Sequence, residues 1–493
     1  MFIGIDIGTS AVKLVLVGAG QQPVATVEEA LHPRQPRPGW SEDDAEAWWT
    51  AVAAGLDRLR GGHAQALGRV QAIGLSGQMH GALLLDAADR PIRPAILWND
   101  GRSAAEADRL ADLGLSLQNS LGVRPMPGFT GPKLAWLRSH EPEVLDRTHH
   151  LLLPKDYVRL RLTGERVTDV SDAAGTWLFD QARRTWSAEA LEACGVERAW
   201  LPRLVESNAV SGTLLREVAK RWGLPPDIPV AGGGGDTAVG GVGIGAVDTG
   251  HGFVSLGTSG QVFLADAQYR PDPERLVHGF CHAVPGRWYA MSALLNGASP
   301  LAAAVRWTSG GDIGATLERV EARFEGPSRL LALPYLFGER TPHNDPYARG
   351  AIIGLTGSTE PADIVQAVLE GVAFSLADGL DVLAASVGRP DALGFIGGGA
   401  RSLFWGRMIA AVLDTTLVRY RGADRGPAFG AARLARLCAT GEPVGVVAAA
   451  PPIEGVIASD ARLRDLYAPR LAAFRALYRA LRPEFARDGD GRP

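Results

Sequence analysis

Ala231-Gly232-Gly233-Gly234-Gly235-Asp236-Thr237 sets a lone carboxylate at the end of a backbone almost bare of side chains. The apolar run Ile228-Pro229-Val230-Ala231 just before it reads as a short buried strand. Consecutive glycines suit neither a strand nor a helix interior, because each loses more conformational freedom on folding than any other residue, so a packing or ligand reason is expected. An acid presented there could accept the proton of a substrate hydroxyl. The competing account is a mobile hinge carrying a solvated Asp. A second acid, Asp6, interrupts the apolar run at residues 2–8, where a carboxylate is costly unless it is paired, hydrogen-bonded or near a cation. One use for it is to help hold a nucleotide's Mg²⁺, through water, while Thr9, Ser10 and Lys13 face the phosphates; the other is to stabilise a turn.

Further polar segments stand at strand ends. Residues 70–75 read as a strand that runs into Ser76-Gly77-Gln78-Met79-His80-Gly81. Open α/β sheets usually place ligands outside the carboxyl ends of their strands, and Gln78 and His80 there could contact one. Ile96-Leu97-Trp98-Asn99-Asp100-Gly101-Arg102 ends similarly; its polar residues could recognise hydroxyls or cap the helix starting near Ser103. Gly397-Gly398-Gly399-Ala400-Arg401-Ser402 follows the strand Leu393-Gly394-Phe395-Ile396, and backbone able to approach closely at such a junction suits an adenine or a phosphate. The loop Gly338-Glu339-Arg340-Thr341-Pro342-His343-Asn344-Asp345-Pro346 is dense in turn formers.

The elements that must position these residues follow a repeated plan. Residues 2–8 and 11–17 are two β-rich runs around Gly8-Thr9-Ser10, which predicts a hairpin with donors at its turn. Residues 252–263 repeat the pattern, with Gly257-Thr258-Ser259 between two apolar runs. The copies suggest duplicated α/β domains facing one cleft, with two small-residue turns gripping a polyphosphate from opposite sides. No G-x-x-x-x-G-K-[ST] segment occurs, so the turns are not a Walker A loop. Residues 41–44 cap a helix continuing through Trp48, Val52, Leu56 and Leu59; a long helix is predicted from Pro361 to about Ala385, and another over 403–413. Leu83-Leu84-Leu85 is expected to continue the first sheet. Lys155-Asp156-Tyr157 opens a helix, and Asp169-Val170-Ser171-Asp172 reads as a turn whose role stays open between structure and binding.

With 493 residues, 46% of them hydrophobic, the chain exceeds one core and its length suggests two to four domains, two large ones being common in α/β enzymes. The net charge of -4 gives no electrostatic case for nucleic acid or an anionic membrane surface, which leaves small-molecule chemistry. Cys194, Cys281 and Cys438 are far apart and lack metal-ligand spacing. No long uncharged apolar run and no basic-then-apolar leader is present, so the expected compartment is the cytoplasm.

Taken in order and spacing, Ile5-Asp6-Ile7-Gly8-Thr9-Ser10, residues 74–81, Trp98 to Arg102, the glycine run with Asp236, Gly257-Thr258-Ser259, residues 333–350 and residues 397–402 resemble the FGGY carbohydrate kinase family, within the actin-like ATPase superfamily. Gly350-Ala351-Ile352-Ile353-Gly354-Leu355, continuing to Asp363 and Glu370, fits the family's second signature. The resemblance implies an α/β fold of two ribonuclease-H-like domains flanking a central cleft. Residues 1–246 would hold the sugar and 247–483 the nucleotide, followed by a frayed tail over 484–493. It implies ATP and Mg²⁺, with Asp236 as general base. Ser76 to Gly81 favours D-xylulose, phosphorylated at O5, over glycerol, gluconate and ribulose. Gln78, Met79, His80, Asp236 and Thr237 become the sugar-facing set. Asp6 becomes the Mg²⁺-associated acid, and Thr9, Ser10, Lys13, Gly257, Thr258 and Ser259 the phosphate contacts, with Gly398, Gly399 and Ser402 beside adenosine. A homodimer through the C-terminal domain is a family expectation. Many of the family's pentulose kinases carry Asn after the catalytic Asp, whereas Thr237 stands here. That keeps two alternatives open: a kinase for another pentulose or polyol, and a sugar-binding regulator without catalysis.

Overall fold

The computed structural model describes residues 1–308 and 310–489. Two seven-stranded sheets organise the chain. In the first, Phe2–Ile7 lies antiparallel to Ala11–Val17 and parallel to Ala72–Gly77, and the sheet extends through Pro23–Ala30 on one side and Pro229–Ala231 and Val210–Thr213 on the other. In the second, Gly252–Leu256 lies antiparallel to Gly260–Asp266 and parallel to Ala392–Ile396, with Trp288–Leu294, His278–Cys281, Thr416–Tyr420 and Ile453–Ile457 completing it. Each sheet thus begins with the hairpin that the repeated sequence pattern predicts, and the first strand of each also pairs in parallel with a later one. Strands buried on both faces read as nearly continuous apolar runs; Phe2–Ile7 is buried at every position except Asp6.

Two helices join the halves. Asp236–Ile244 packs on Gly426–Thr440, which lies in sequence between two strands of the second sheet, Thr416–Tyr420 and Ile453–Ile457, yet packs across the first. Gly4 and Gly74 permit that approach: a methyl group on either would fall 1.8 Å from Ala428 O and 1.9 Å from Ala431 O respectively. A core cluster also crosses between the halves, running from Met79, Phe129 and Trp177 to Phe280 and Tyr289.

Ala45–Leu67 is the helix predicted after residues 41–44, with Asp44 capping Glu46 N at 3.0 Å. Pro361–Val387 and Leu403–Leu413 match the other two expected helices. Leu83–Leu85 departs from expectation: it pairs with His150–Leu152 in a separate two-stranded sheet. Ala72–Gly77 already has Phe2–Ile7 on one side and Pro229–Ala231 with Gly234–Gly235 on the other, so no edge is free for it. The segment at residues 96–102 contributes only the short strand Ala95–Ile96, paired with Glu42–Asp43. Where a frayed tail was expected from residue 484, the helix Ala461–Gly489 continues; the last four residues of that expected tail, 490–493, lie outside the described ones.

Candidate active site

Asp6, Ser76 and Gly234 stand at one level on three neighbouring strands, Asp6 opposite Ser76 and Ser76 opposite Gly234. The glycine run therefore adds a short strand, Gly234–Gly235, beside the end of Ala72–Gly77 before the helix Asp236–Ile244 starts. Asp236 is the first residue of that helix, where the backbone dipole favours a negative charge. Its Oδ1 accepts Thr237 N at 2.7 Å and Thr237 Oγ1 at 3.4 Å. Gly233 has φ +70°, which a β-carbon would strain, and its N–H reaches Ser207 O at 2.8 Å. The run is a fixed turn, not a hinge.

Burial pushes the Asp236 carboxyl up to about 7, and the nearby charge of Asp6 adds to it against the Thr237 hydrogen bonds. Burial likewise raises Asp6 to about 6, opposed by Ser76 and Lys13. Two buried acids whose carboxyls are both raised, Asp236 in part by the charge of Asp6, are poised for proton transfer near neutrality or for a shared cation. Asp6 Oδ1 is buried without a hydrogen-bond partner, and Lys13, directly across the hairpin, pairs instead with Glu28 at 3.5 Å. An orphaned carboxylate oxygen is what a hydrated divalent cation would satisfy. Among the described residues no three His, Cys, Asp or Glu form a metal-holding group. That donor set fits Mg²⁺, which is commonly held by one or two carboxylates with substrate phosphates and water.

Met79 and His80 close one wall. A methyl group on Gly235 would meet Met79 Cγ at 2.7 Å, so the thioether lies directly over the residue before Asp236. His80 adopts φ +69°. Its Nδ1 meets the Gly175 carbonyl, while its own carbonyl accepts from Thr130 Oγ1 at 3.0 Å and Lys133 Nζ at 2.9 Å. Burial holds the His80 imidazole well below its ordinary value, so it is neutral and leaves Nε2 as the second functional nitrogen. Gln78 turns toward the first hairpin, donating to Gly8 O at 3.3 Å and accepting from Thr9 Oγ1 at 3.2 Å. Trp98 Nε1 donates to the same Thr9 hydroxyl at 2.9 Å. Thr9 is thereby tied to the Gln78 wall, whereas Ser10 stands exposed at the turn.

The second hairpin exposes Thr258 and Ser259 at its turn. Thr258 O accepts Gly297 N at 3.1 Å, and Gly257 O accepts Ala298 N at 2.7 Å. Gly399 lies against Leu256, where a methyl group would meet Leu256 Cδ2 at 2.5 Å. The triple-glycine turn thus abuts the hairpin that carries Thr258, with open space at Gly398. Ser402 caps the helix Leu403–Leu413, its Oγ accepting Trp405 N at 3.2 Å.

Asp100 and Arg102 serve structure: Asp100 accepts Ser41 N at 2.6 Å and Arg102 Nε at 2.8 Å, and Arg102 stacks 3.6 Å over Trp40. The Asp169 to Asp172 segment is not the expected turn but the end of the strand Val167–Asp169 and the start of a short helix, Val170–Ala173, that Asp169 caps, and its acids are also structural. Lys155 Nζ is wholly buried between Asp156, Asp169 and Asp172 at 2.6, 3.0 and 3.1 Å. Arg159, equally buried, donates to Ala231 O at 2.8 Å and to Gly232 O, holding the chain that leads to Asp236. Sequence reasoning passed over Arg159 and also Phe129, His278 and Tyr289, because each reaches the site only through a distant pairing.

Fold and site together define a carbohydrate kinase of the actin-like ATPase superfamily. The FGGY carbohydrate kinase N-terminal domain matches residues 1–243 and its C-terminal domain residues 252–438, and the chain belongs to that family. It is 45% identical over 488 residues to the xylulose kinase of Escherichia coli (strain K12), covering 99% of this chain and 100% of that one. A crystal structure described as a "xyloylose kinase" from Brucella ovis superposes with a TM-score of 0.95 at 41% identity, covering 98% of this chain and 99% of that one. A gluconate kinase from Lactobacillus acidophilus superposes at 0.92 with 26% identity over 98% and 99% of the two chains. Backbone shape alone therefore does not separate the sugars.

Proposed function

We propose that this protein transfers the γ-phosphoryl group of ATP to O5 of D-xylulose, giving D-xylulose 5-phosphate and ADP. The observation that carries the reading is the 45% identity to a xylulose kinase along essentially the whole of both chains. The site's chemistry agrees with it. Asp236 accepts the O5 proton as that oxygen attacks the γ-phosphorus and the bond from phosphorus to the β–γ bridging oxygen breaks, ADP leaving with its electron pair. Met79 and His80 bound the ketose beside Asp236, while Gln78 steadies the wall by joining it to the first hairpin. Asp6, through water, would hold Mg²⁺, whose charge neutralises the phosphate oxygens.

Residues 1–246 act as the sugar-holding part and 247–483 as the nucleotide-holding part in this reading. The turns Thr9-Ser10 and Gly257-Thr258-Ser259 meet the polyphosphate, with Lys13 contributing charge at the cleft's edge. Gly398 and Gly399 lie flat beneath the adenosine, and Ser402 fixes the helix that follows. Thr237 favours one alternative: its hydroxyl is turned onto Asp236, which removes the amide donor and acceptor an Asn would offer a sugar. A different pentulose or a polyol would then be the better substrate.

ADP release with Mg²⁺ and ATP across D-xylulose, D-ribulose, L-xylulose, glycerol, gluconate and no sugar tests the choice. The highest kcat/KM is expected for D-xylulose. A higher value for another sugar would transfer the assignment to it, and sugar binding without turnover would make the protein a sugar-responsive regulator.

A further inference from the structure

The second lobe brings polar groups to the sugar wall that the mechanism above leaves unused. His278, on the strand His278–Cys281, is 2% exposed, and neither ring nitrogen has a hydrogen-bond partner. Phe129 ties it to the sugar wall: that ring lies 4.6 Å from His80 and 5.8 Å from His278, edge-on to both. Phe280 backs the pair at 6.5 and 5.5 Å. Unpartnered imidazole nitrogens at such burial are costly unless something occupies the space before them.

Arg340 comes from the loop beside it. Thr341 anchors that loop to the same sheet, its N–H on Ala293 O at 3.1 Å and its Oγ1 on Leu276 O at 3.0 Å. Glu339, the neighbouring acid, acts on the guanidinium through its charge but makes no direct ion pair with it. Its oxygens accept Leu295 N at 2.7 Å, Arg340 N at 2.8 Å and Asn296 Nδ2 at 3.3 Å. No hydrogen bond or ion pair engages the Arg340 guanidinium among the described residues. Its charge reaches both imidazoles, helping burial hold His80 and His278 neutral, the latter down to about 3. Asp236 responds instead to burial, Asp6 and Thr237. Arg340, next to the anchored Thr341, therefore stands with His278 on the second lobe's side of the sugar wall.

We propose that Arg340 and His278 bind the carbonyl end of the ketose, so that the second lobe completes the sugar site and selects a ketose over the corresponding alditol. A guanidinium offers only donors, so the C2 carbonyl and adjacent hydroxyl oxygens suit it, while a neutral imidazole both donates and accepts. An alditol has no carbonyl to leave unpaired when those donors are lost. The inference rests on the ketose kinase reading, and the test separates the two.

The test is titration of D-xylulose and xylitol by intrinsic tryptophan fluorescence, alongside ADP release, for wild type, Arg340→Gln, Arg340→Lys and His278→Asn, each checked by thermal melting. Loss of charged hydrogen bonds predicts that Arg340→Gln weakens D-xylulose binding about 10- to 100-fold and raises KM more than it lowers kcat. Xylitol binding should change less than about threefold on the same grounds, and Arg340→Lys should recover part of the loss. Equal weakening for both sugars, or D-xylulose binding unchanged in Arg340→Gln and His278→Asn, would overturn the proposal. If wild type binds D-xylulose without releasing ADP, the kinase reading fails; selective loss of ketose binding in Arg340→Gln would still support this one. A wild type that binds no ketose overturns both.

Discussion

In the proposed reaction Asp236 bears the chemistry at the scale of single residues, and its environment makes that testable. Its carboxyl must be ionised to accept a proton. With the group pushed up to about 7 and Asp6 to about 6, kcat/KM in the free enzyme should rise with pH through that range and level off above it; a flat profile from pH 5 to 8 would contradict the assignment. Asp236→Asn should retain sugar binding by calorimetry but lose a factor of about 10² to 10⁴ in kcat. The raised value has a stability consequence of definite sign. The native carboxyl takes its proton near 7 and the unfolded one near 3.8, so between these values the native state holds more protons. Stability accordingly falls as pH climbs through that window, and the cost is fully present above it. Asp236→Asn should thus stabilise the ligand-free protein at pH 8 by roughly 1 to 2 kcal/mol, discounted for partial exposure, with the gain fading by pH 4. Equal gains at both pH values in denaturant titrations would show that the carboxyl's charge is not the cause.

At the scale of elements, what was local was legible. Both Gly-Thr-Ser hairpins follow from apolar strands interrupted by small residues, and the glycine run pointed to a packing or ligand reason at Asp236 while leaving a hinge as the alternative. What depended on distant pairing was not. Leu83–Leu85 carries the same apolar pattern as a strand of the large sheet, yet its partner is His150–Leu152 because both sides of Ala72–Gly77 are taken. Thr9 reads from sequence as a phosphate contact, and what the sequence does not show is that Trp98 and Gln78, far along the chain, also engage its hydroxyl. The acids at 169 and 172 gained meaning only once Lys155 stood between them. That cluster predicts a sharp asymmetry: Lys155→Met leaves three buried acids without their shared cation and should cost about 3 to 5 kcal/mol. Chemical denaturation checks it, and a loss under 1 kcal/mol would mean that the acids are already neutral. Gly235→Ala pushes a methyl group into Met79 and should raise the sugar KM about tenfold with little change in melting temperature, since the thioether can yield.

The whole molecule sets two α/β halves around the cleft, joined through Asp236–Ile244 and Gly426–Thr440 and through a continuous apolar cluster. Closure over both substrates would expel water and bring the γ-phosphate to O5. Small-angle scattering should show a smaller radius of gyration with D-xylulose and a non-hydrolysable ATP analogue together than with neither; an unchanged radius would argue that the halves are already closed. Within the family, shape does not name the sugar, as the gluconate kinase superposition shows. The central claim is therefore chemical, and the most direct measurement is proton–phosphorus correlation NMR of the product formed from D-xylulose, ATP and Mg²⁺ by wild type and by Asp236→Asn. Phosphorus coupled to the two C5 protons, accumulating with wild type and nearly absent with the variant, is the predicted result. Phosphorus at C1, only inorganic phosphate, or equal product from the variant would contradict it.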